Sequence, residues 1–382
     1  MNTVYFDHNS TAALHPQVLE VMLPFMTAQH GNPTSRHVFG RNARDAVEYA
    51  RAQVAETVGV QASQVVFTAS GTEANNFAIR GIAGNLAPSQ MLYSSIEHPC
   101  VSRPALALQT NGWQVNKIKV DPHGQLDLEH LNALLQRPTG LISVMLANNE
   151  TGALQPLTAV TAAAKQLKAF VHTDAVQALG KVPVDFYDLG VHAMTLSSHK
   201  IGGPLGAGAL VLDKRVDIQP LLLGGGQEKG LRSGTENVAA IVGFGAACAI
   251  AQQQLADYQT HTTLLRSQLE AGLHQLKATV FGAENAQRLP NTSFFAFHHI
   301  EGETLVTALD KAGFAVASGS ACSSDSTEPS HVLLAMGVEE ELARGAVRVS
   351  LSAHNTVQQV DAFLATLAQE VKRLKAMTAI AA

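Results

Sequence analysis

The sequence predicts an α/β fold in which a large domain, built on a mainly parallel β-sheet, is joined to a smaller α+β unit. Three observations carry this. From residue 64 to about 212, short β-rich runs alternate with helical patterns, the signature of parallel strands joined by crossover helices. After about residue 255 the alternation stops, and long helical stretches frame a few short strands. The 382 residues, 46% hydrophobic and 15% charged, exceed what one core usually holds.

Taken in order, Gln64-Val65-Val66-Phe67-Thr68 reads as a strand and residues 73–82 as a helix. Further strands are predicted at 91–95, 141–146, 170–173, 193–196 and 208–212, with helical stretches such as 157–168 between most of them. The apolar run at about 238–251 is Gly/Ala-rich and too short to span a bilayer, so it reads as a buried helix. A long helix is expected over 255–276, strands over 292–297 and 346–351, and a closing helix over about 356–377. Residues 14–257 are assigned to the large domain, and residues 1–13 and 258–382 to the small one.

Composition excludes several functions. The formal net charge is −5 and no basic block occurs, so neither nucleic-acid nor membrane binding is expected. The start, Met1-Asn2-Thr3-Val4-Tyr5-Phe6-Asp7, lacks the basic-then-apolar pattern of a signal peptide. Cys100, Cys248 and Cys322 are too few and too scattered for a disulfide framework or a zinc site. No metal is expected, and a reducing, cytoplasmic setting is the default. Cys100 and Cys248 lie in helical or apolar contexts and read as structural.

Loops at the carboxyl ends of parallel strands carry the ligand groups in such folds. In Ser197-Ser198-His199-Lys200-Ile201-Gly202-Gly203-Pro204 an apolar strand runs into a lysine and a glycine-rich exit. A partly desolvated lysine there favours imine formation with an aldehyde, and its polar neighbours can hold a phosphate. Thr68-Ala69-Ser70-Gly71-Thr72-Glu73 follows a strand and opens a helix. The free amides of a helix start suit a phosphate, and Ser70 with Glu73 has the spacing of a capping box. Asp174, in His172-Thr173-Asp174-Ala175-Val176-Gln177, ends a buried strand. A carboxylate there needs a cationic partner, which a protonated pyridine nitrogen, a salt bridge or a helix start would supply. Glu97-His98-Pro99 and Asn148-Asn149-Glu150-Thr151-Gly152 follow two more strands.

In this order and spacing the segments resemble the NifS/IscS-type cysteine desulfurases, within the class V aminotransferase-like branch of the fold-type-I pyridoxal-phosphate enzymes. The resemblance runs from Tyr5-Phe6-Asp7-His8-Asn9-Ser10-Thr11 to about residue 370. It includes Gly31-Asn32-Pro33-Thr34-Ser35, Gly224-Gly225-Gly226-Gln227-Glu228 and Arg232-Ser233-Gly234-Thr235-Glu236-Asn237. It implies a seven-stranded-type sheet in the large domain and pyridoxal 5'-phosphate as cofactor. By position, Lys200 would bond the cofactor aldehyde and His98 would stack on its ring. Asp174 would pair with the ring nitrogen, and Gln177 would touch the ring hydroxyl. Gly71, Thr72, Ser197 and His199 would hold the phosphate. Thr235 would reach the phosphate of the neighbouring subunit, which implies a homodimer. Asn149 would lie beside cofactor and substrate, and Arg348 would grip the substrate carboxylate. Ser198 stands where many relatives carry glycine, and Leu205 where many carry lysine.

The reaction is decided by Ala317-Ser318-Gly319-Ser320-Ala321-Cys322-Ser323-Ser324-Asp325-Ser326-Thr327-Glu328-Pro329-Ser330. This stretch is small, polar and poor in hydrophobes, so it reads as a mobile loop. It matches the family's Ser-Gly-Ser-Ala-Cys loop, which implies that Cys322 takes sulfur from L-cysteine as a persulfide and carries it to an acceptor protein. An iron–sulfur scaffold, a thio-cofactor pathway or tRNA thiolation could be served. The alternatives are a selenocysteine lyase, a small-substrate aminotransferase on the same fold, and a non-catalytic scaffold-binding protein.

Overall fold

A computed structural model describes residues 3–285, 287–319 and 328–381. The chain forms β1 (Val4–Tyr5), β2 (Val65–Thr68), β3 (Gln90–Ser94), β4 (Gln114–Ile118), β5 (Thr139–Ser143), β6 (Phe170–Asp174), β7 (Ala193–Ser197) and β8 (Gly208–Leu212). It continues with β9 (Thr279–Phe281), β10 (Thr292–Ala296), β11 (Phe314–Ala315), β12 (Ala317–Ser318) and β13 (Val347–Ser350). A seven-stranded sheet has the order β2-β8-β7-β6-β5-β3-β4. The pairs from β4 to β7 are parallel, and β8 is antiparallel to both β7 and β2. The expected mainly parallel sheet of seven strands is therefore present.

Burial explains which strands were readable. All five residues of β3, β7 and β8 are buried, because helices cover both faces of the sheet, so these strands read as unbroken apolar runs. The sequence reading missed β4. It is an edge strand, Gln114-Val115-Asn116-Lys117-Ile118, and only Ile118 is buried; polar side chains on a solvated edge dilute the pattern. Element ends also moved. Strand β5 stops at Ser143, so residues 144–146, expected in the strand, turn into the loop beyond it.

The helix expected over 73–82 spans Gly71–Gly84. Helices α1 (Pro16–Met26), α2 (Val38–Thr57) and α3 (Gly71–Gly84) precede it or coincide with it in chain order. Ser70 Oγ accepts from the Glu73 amide at 3.1 Å, so the Ser70 half of the expected capping box forms, while the Glu73 carboxylate accepts from Ala69 N at 2.9 Å, one residue before the cap. The expected buried helix is Val238–Gln253, packed on α1 and α2. Among the described residues no single helix is long and apolar enough to cross a membrane.

One apolar cluster under the seven-stranded sheet gathers Phe67, Val171, Met194, Val211 and Phe244. Another, on the opposite face, gathers Phe77, Ile79, Met91, Tyr93 and Leu210. A third joins Val4 and Phe6 to Leu265, Phe295, Phe314 and Phe363. This third cluster lies against a four-stranded sheet of order β12-β13-β10-β9. The first residues of the chain thus belong with its last third, because β1 pairs with β11.

A buried ion pair fixes α2 to the seven-stranded sheet. Arg51 Nη1 and Nη2 donate to Glu228 at 2.7 and 2.8 Å, and Nη1 also donates to Val65 O at 3.0 Å. Glu228 accepts from the Phe67 amide at 2.8 Å. Removing one partner of such a pair leaves an uncompensated buried charge, at a cost of about 3–5 kcal/mol. Glu228→Ala is therefore expected to lose that much stability in urea unfolding. Glu48→Ala, which removes the exposed second partner of Arg51, should lose less than about 1 kcal/mol.

Candidate active site

The carboxyl ends of β2, β3, β5, β6 and β7 open onto one cavity of about 290 Å³. Gly71, Thr72, His98, Asn149, Asp174, Gln177, Ser197, His199, Lys200 and Arg348 all line it. Ten positions from six separate segments of the chain are thus gathered in one place.

One end of the cavity is built for an anion. The start of α3 lines it, and the first amides of a helix have no partner within the helix. Two glycines make room. A Cβ on Gly208 would lie 2.6 Å from the Ser70 carbonyl carbon, and one on Gly71 would lie 3.0 Å from Val176 Cγ2. The Ser197 hydroxyl is buried with no protein partner. His199 touches Thr11 Oγ1 at 3.2 Å through Nδ1. Burial, and then the Lys200 charge, lower its pKa to about 4, so it is a neutral hydrogen-bonding group at physiological pH.

At the floor, Asp174 accepts from Asn75 Nδ2 at 2.6 Å and from Val176 N at 3.0 Å. Burial pushes its carboxyl pKa up, and these two donors, with the charges of His98 and Lys200, act against that. A cationic ring nitrogen would relieve the remaining cost. His98 caps α4 (Pro99–Ala107) by accepting from Cys100 N at 3.2 Å. The Cys100 sulfur lies 2.8 Å from His98 Nδ1 and 3.0 Å from Asn75 Nδ2. Since Nδ1 accepts, the neutral imidazole carries its proton on Nε2. Burial lowers the His98 pKa and favours this neutral form. Cys100, read as structural, also lines the cavity, but burial and the Asp174 charge push its thiol far up, so it stays protonated.

On the remaining wall, Lys200 Nζ donates to the carbonyls of Asn9 and Ser10, both at 2.7 Å. Gln177 Nε2 donates to Asn9 O at 3.0 Å. Arg348 lies on β13, an interior strand, so it is not the edge residue a chance arginine would be. Its Nη atoms donate to Asn149 O at 3.0 Å and to Asp7 Oδ1 and Ser10 Oγ at 2.8 Å. Its buried Nε has no protein acceptor and is suited to a carboxylate.

Thr235 is exposed and lies outside this cavity. Cys322 lies outside the described residues. The segments on either side of 320–327 both meet the site: Ser318 and Gly319 line the cavity, and Ser330 bonds to buried Glu150, another lining residue.

Sequence reasoning missed four residues here. Asn75 falls one turn after Gly71, a spacing that turns it to the same helix face. Asn9 gave no local signal, because its partners are distant in the chain, and Lys181, which bonds to Gln177 one turn before it and to Asn9, gave none because the second contact exists only in the folded chain. Cys100 follows His98 by two residues, a gap closed by the helix cap. An orphaned hydroxyl, a glycine-made anion cradle, a lysine and a buried carboxylate together match what pyridoxal phosphate requires.

The Aminotransferase class-V family model matches residues 4–363. "Cysteine desulfurase IscS 1" of Archaeoglobus fulgidus is 41% identical over 376 residues, 98% of each chain. A solved structure of a NifS-like protein superposes with a TM-score of 0.91 at 38% identity, covering 97% of this chain and 99% of that one. SspA, solved in complex with cysteine, gives 0.81 at 30% identity over 93% and 100%. Members of this family depend in general on pyridoxal phosphate. The chain belongs to the class-V aminotransferase family, in its NifS/IscS-type cysteine desulfurase branch.

Proposed function

We propose that the chain converts L-cysteine to L-alanine with pyridoxal phosphate and passes the sulfur to Cys322 as a persulfide. The observation that carries this reading is the convergence of Lys200, Asp174, His98 and Arg348 on one cavity whose wall includes Gly319. Cys322 follows Gly319 by three residues, and three residues span at most about 11 Å.

Pyridoxal phosphate, when bound, supplies an electron sink for the Cα and Cβ of an attached amino acid. Lys200 would hold it covalently, Asp174 would keep its ring nitrogen protonated, and Gly71, Thr72, Ser197 and His199 would take its phosphate. Arg348 would orient the substrate carboxylate through Nε, beside Asn149. Lys200 would also serve as the base that takes the Cα proton of the substrate. His98, neutral and protonated on Nε2, would move protons near Cβ. Cys322 attacks the substrate sulfur as a thiolate. An S–S bond forms and the Cβ–S bond breaks. Its electron pair remains with carbon, which takes up a proton to become the methyl group of alanine. The persulfide then serves an acceptor protein.

The residues divide into a domain of 14–257 and a domain of 1–13 with 258–382, and the chain works as a homodimer with Thr235 completing the neighbouring site. Two features support the dimer. Ser233 N donates to Leu222 O at 3.1 Å, joining the Thr235 loop to Leu222 and Leu223. Leu223 is 85% exposed, an apolar surface that favours a partner.

Four outcomes are expected. Cys322→Ala should keep the cofactor absorbance yet lose release of alanine from L-cysteine by several orders of magnitude, while His98→Ala should lose about 10²–10⁴-fold. Full turnover by Cys322→Ala under reducing conditions would overturn the assignment. Native alkylation at pH 8, read by mass spectrometry, should modify Cys322 and spare Cys100 and Cys248, whose thiols burial keeps protonated. Leu223→Glu should move the sedimentation profile towards monomer and weaken cofactor retention in parallel; an unchanged dimer would count against this interface.

A further inference from the structure

Lys181 lies behind the cavity in an environment that does not suit a lysine. It is 3% exposed, and no carboxylate among the described residues pairs with it. Its Nζ donates instead to two neutral amide oxygens, Gln177 Oε1 at 2.7 Å and Asn9 Oδ1 at 2.8 Å. Burial, and then the charges of Lys200 and Arg348, push its ammonium well below the usual lysine range. For packing alone, an apolar side chain of similar length would fill this volume without the desolvation cost.

The hydrogen bonds indicate what the amine does. A carboxamide can face a site with its oxygen or its nitrogen, two ends of nearly equal shape and opposite polarity. Lys181 donates to the Gln177 oxygen at one end, and the Asn9 carbonyl, which can only accept, takes an N–H at the other, so the carboxamide is held in one sense with its oxygen on the Lys181 side. The Gln177 nitrogen must then point the other way. One of its hydrogens goes to Asn9 O at 3.0 Å, the same carbonyl that accepts from Lys200. The second remains for the cavity that Gln177 lines.

We propose that Lys181 is a positioning residue that locks the Gln177 carboxamide with an N–H towards the cavity, so that the ring oxygen of the cofactor meets a donor and is held as an oxyanion. The inference rests on the reading of the cavity as a pyridoxal-phosphate site. Without the donor, the ring oxygen becomes more basic and holds the proton it shares with its neighbour more tightly. The midpoint of the cofactor's pH-dependent absorbance change must then rise.

The test is a pH titration of that absorbance in the holoenzyme, for wild type, Lys181→Met, Gln177→Ala and the double variant. The groups whose charges act on Lys181, or which respond to it, are Lys200, Arg348 and His8, and none is altered. Lys181→Met is expected to raise the midpoint by at least about one pH unit, the tenfold effect of losing one hydrogen bond to a charged group. In the Gln177→Ala background the same substitution should add nothing. An unchanged midpoint, or a shift that persists without Gln177, overturns the proposal. Should Lys181→Met not fold, Gln177→Glu, whose carboxylate pairs with Lys181 and shows the ring oxygen an acceptor, must raise the midpoint; no rise overturns the proposal equally. A wild type that takes up no cofactor would instead refute the cofactor reading itself.

Discussion

The site depends on the complete hydrogen bonding of one buried residue, Asn9. Its carbonyl accepts from Lys200 and Gln177, and its side-chain oxygen accepts from Lys181 and Asn291. Its side-chain nitrogen donates to Asn149 O and Thr292 Oγ1, and its amide donates to Ser350 Oγ. Asn9 is 1% exposed, so a lost partner would leave a polar group without water, at about 1–3 kcal/mol. These bonds run to loops of the seven-stranded sheet on one side and to β10 and β13 of the four-stranded sheet on the other. The lysine and the arginine of the site are held in register through this residue.

Burial then sets the protonation states around that hub. His98 and His199 are kept neutral, and Cys100 is kept as a thiol. Asp174 sits where burial opposes its charge and nearby donors restore it. The cavity therefore offers two neutral imidazoles and a buried carboxylate that a cationic partner would stabilise. No metal-ligand cluster of His, Cys, Asp or Glu occurs among the described residues.

Much of this was legible in the sequence, for identifiable reasons. Strands buried on both faces gave apolar runs, and Lys200, Asp174, His98 and Gly71 each follow such a run, so position at a strand end marked them. The edge strand β4 was not legible because solvent tolerates its polar residues. Asn9, Lys181 and Cys100 were not legible as site residues because each acts through contacts that only the folded chain creates. Arg348 was legible by resemblance alone; its place on an interior strand and its unpaired Nε supply the physical reason. The two glycines at 71 and 208 show the same division. Gly71 belongs to a recognisable turn, whereas the need for glycine at 208 is visible only once Ser70 is packed against it.

The pairing of β1 with β11, and of Asn9 with Ser350, has a consequence for biosynthesis. The Asn9 and Ser350 contact joins positions 341 residues apart. On a ribosome the first strand emerges long before either of its partners exists, and long-range contacts of this kind close slowly. The seven-stranded sheet can assemble while the chain is still growing, but the wall formed by Asn9, Ser10 and Arg348 cannot. The wall around Lys200 is therefore completed late in the life of the polypeptide: a half-made chain already contains the carbonyls of Asn9 and Ser10 but lacks the Thr292 and Ser350 groups that anchor them.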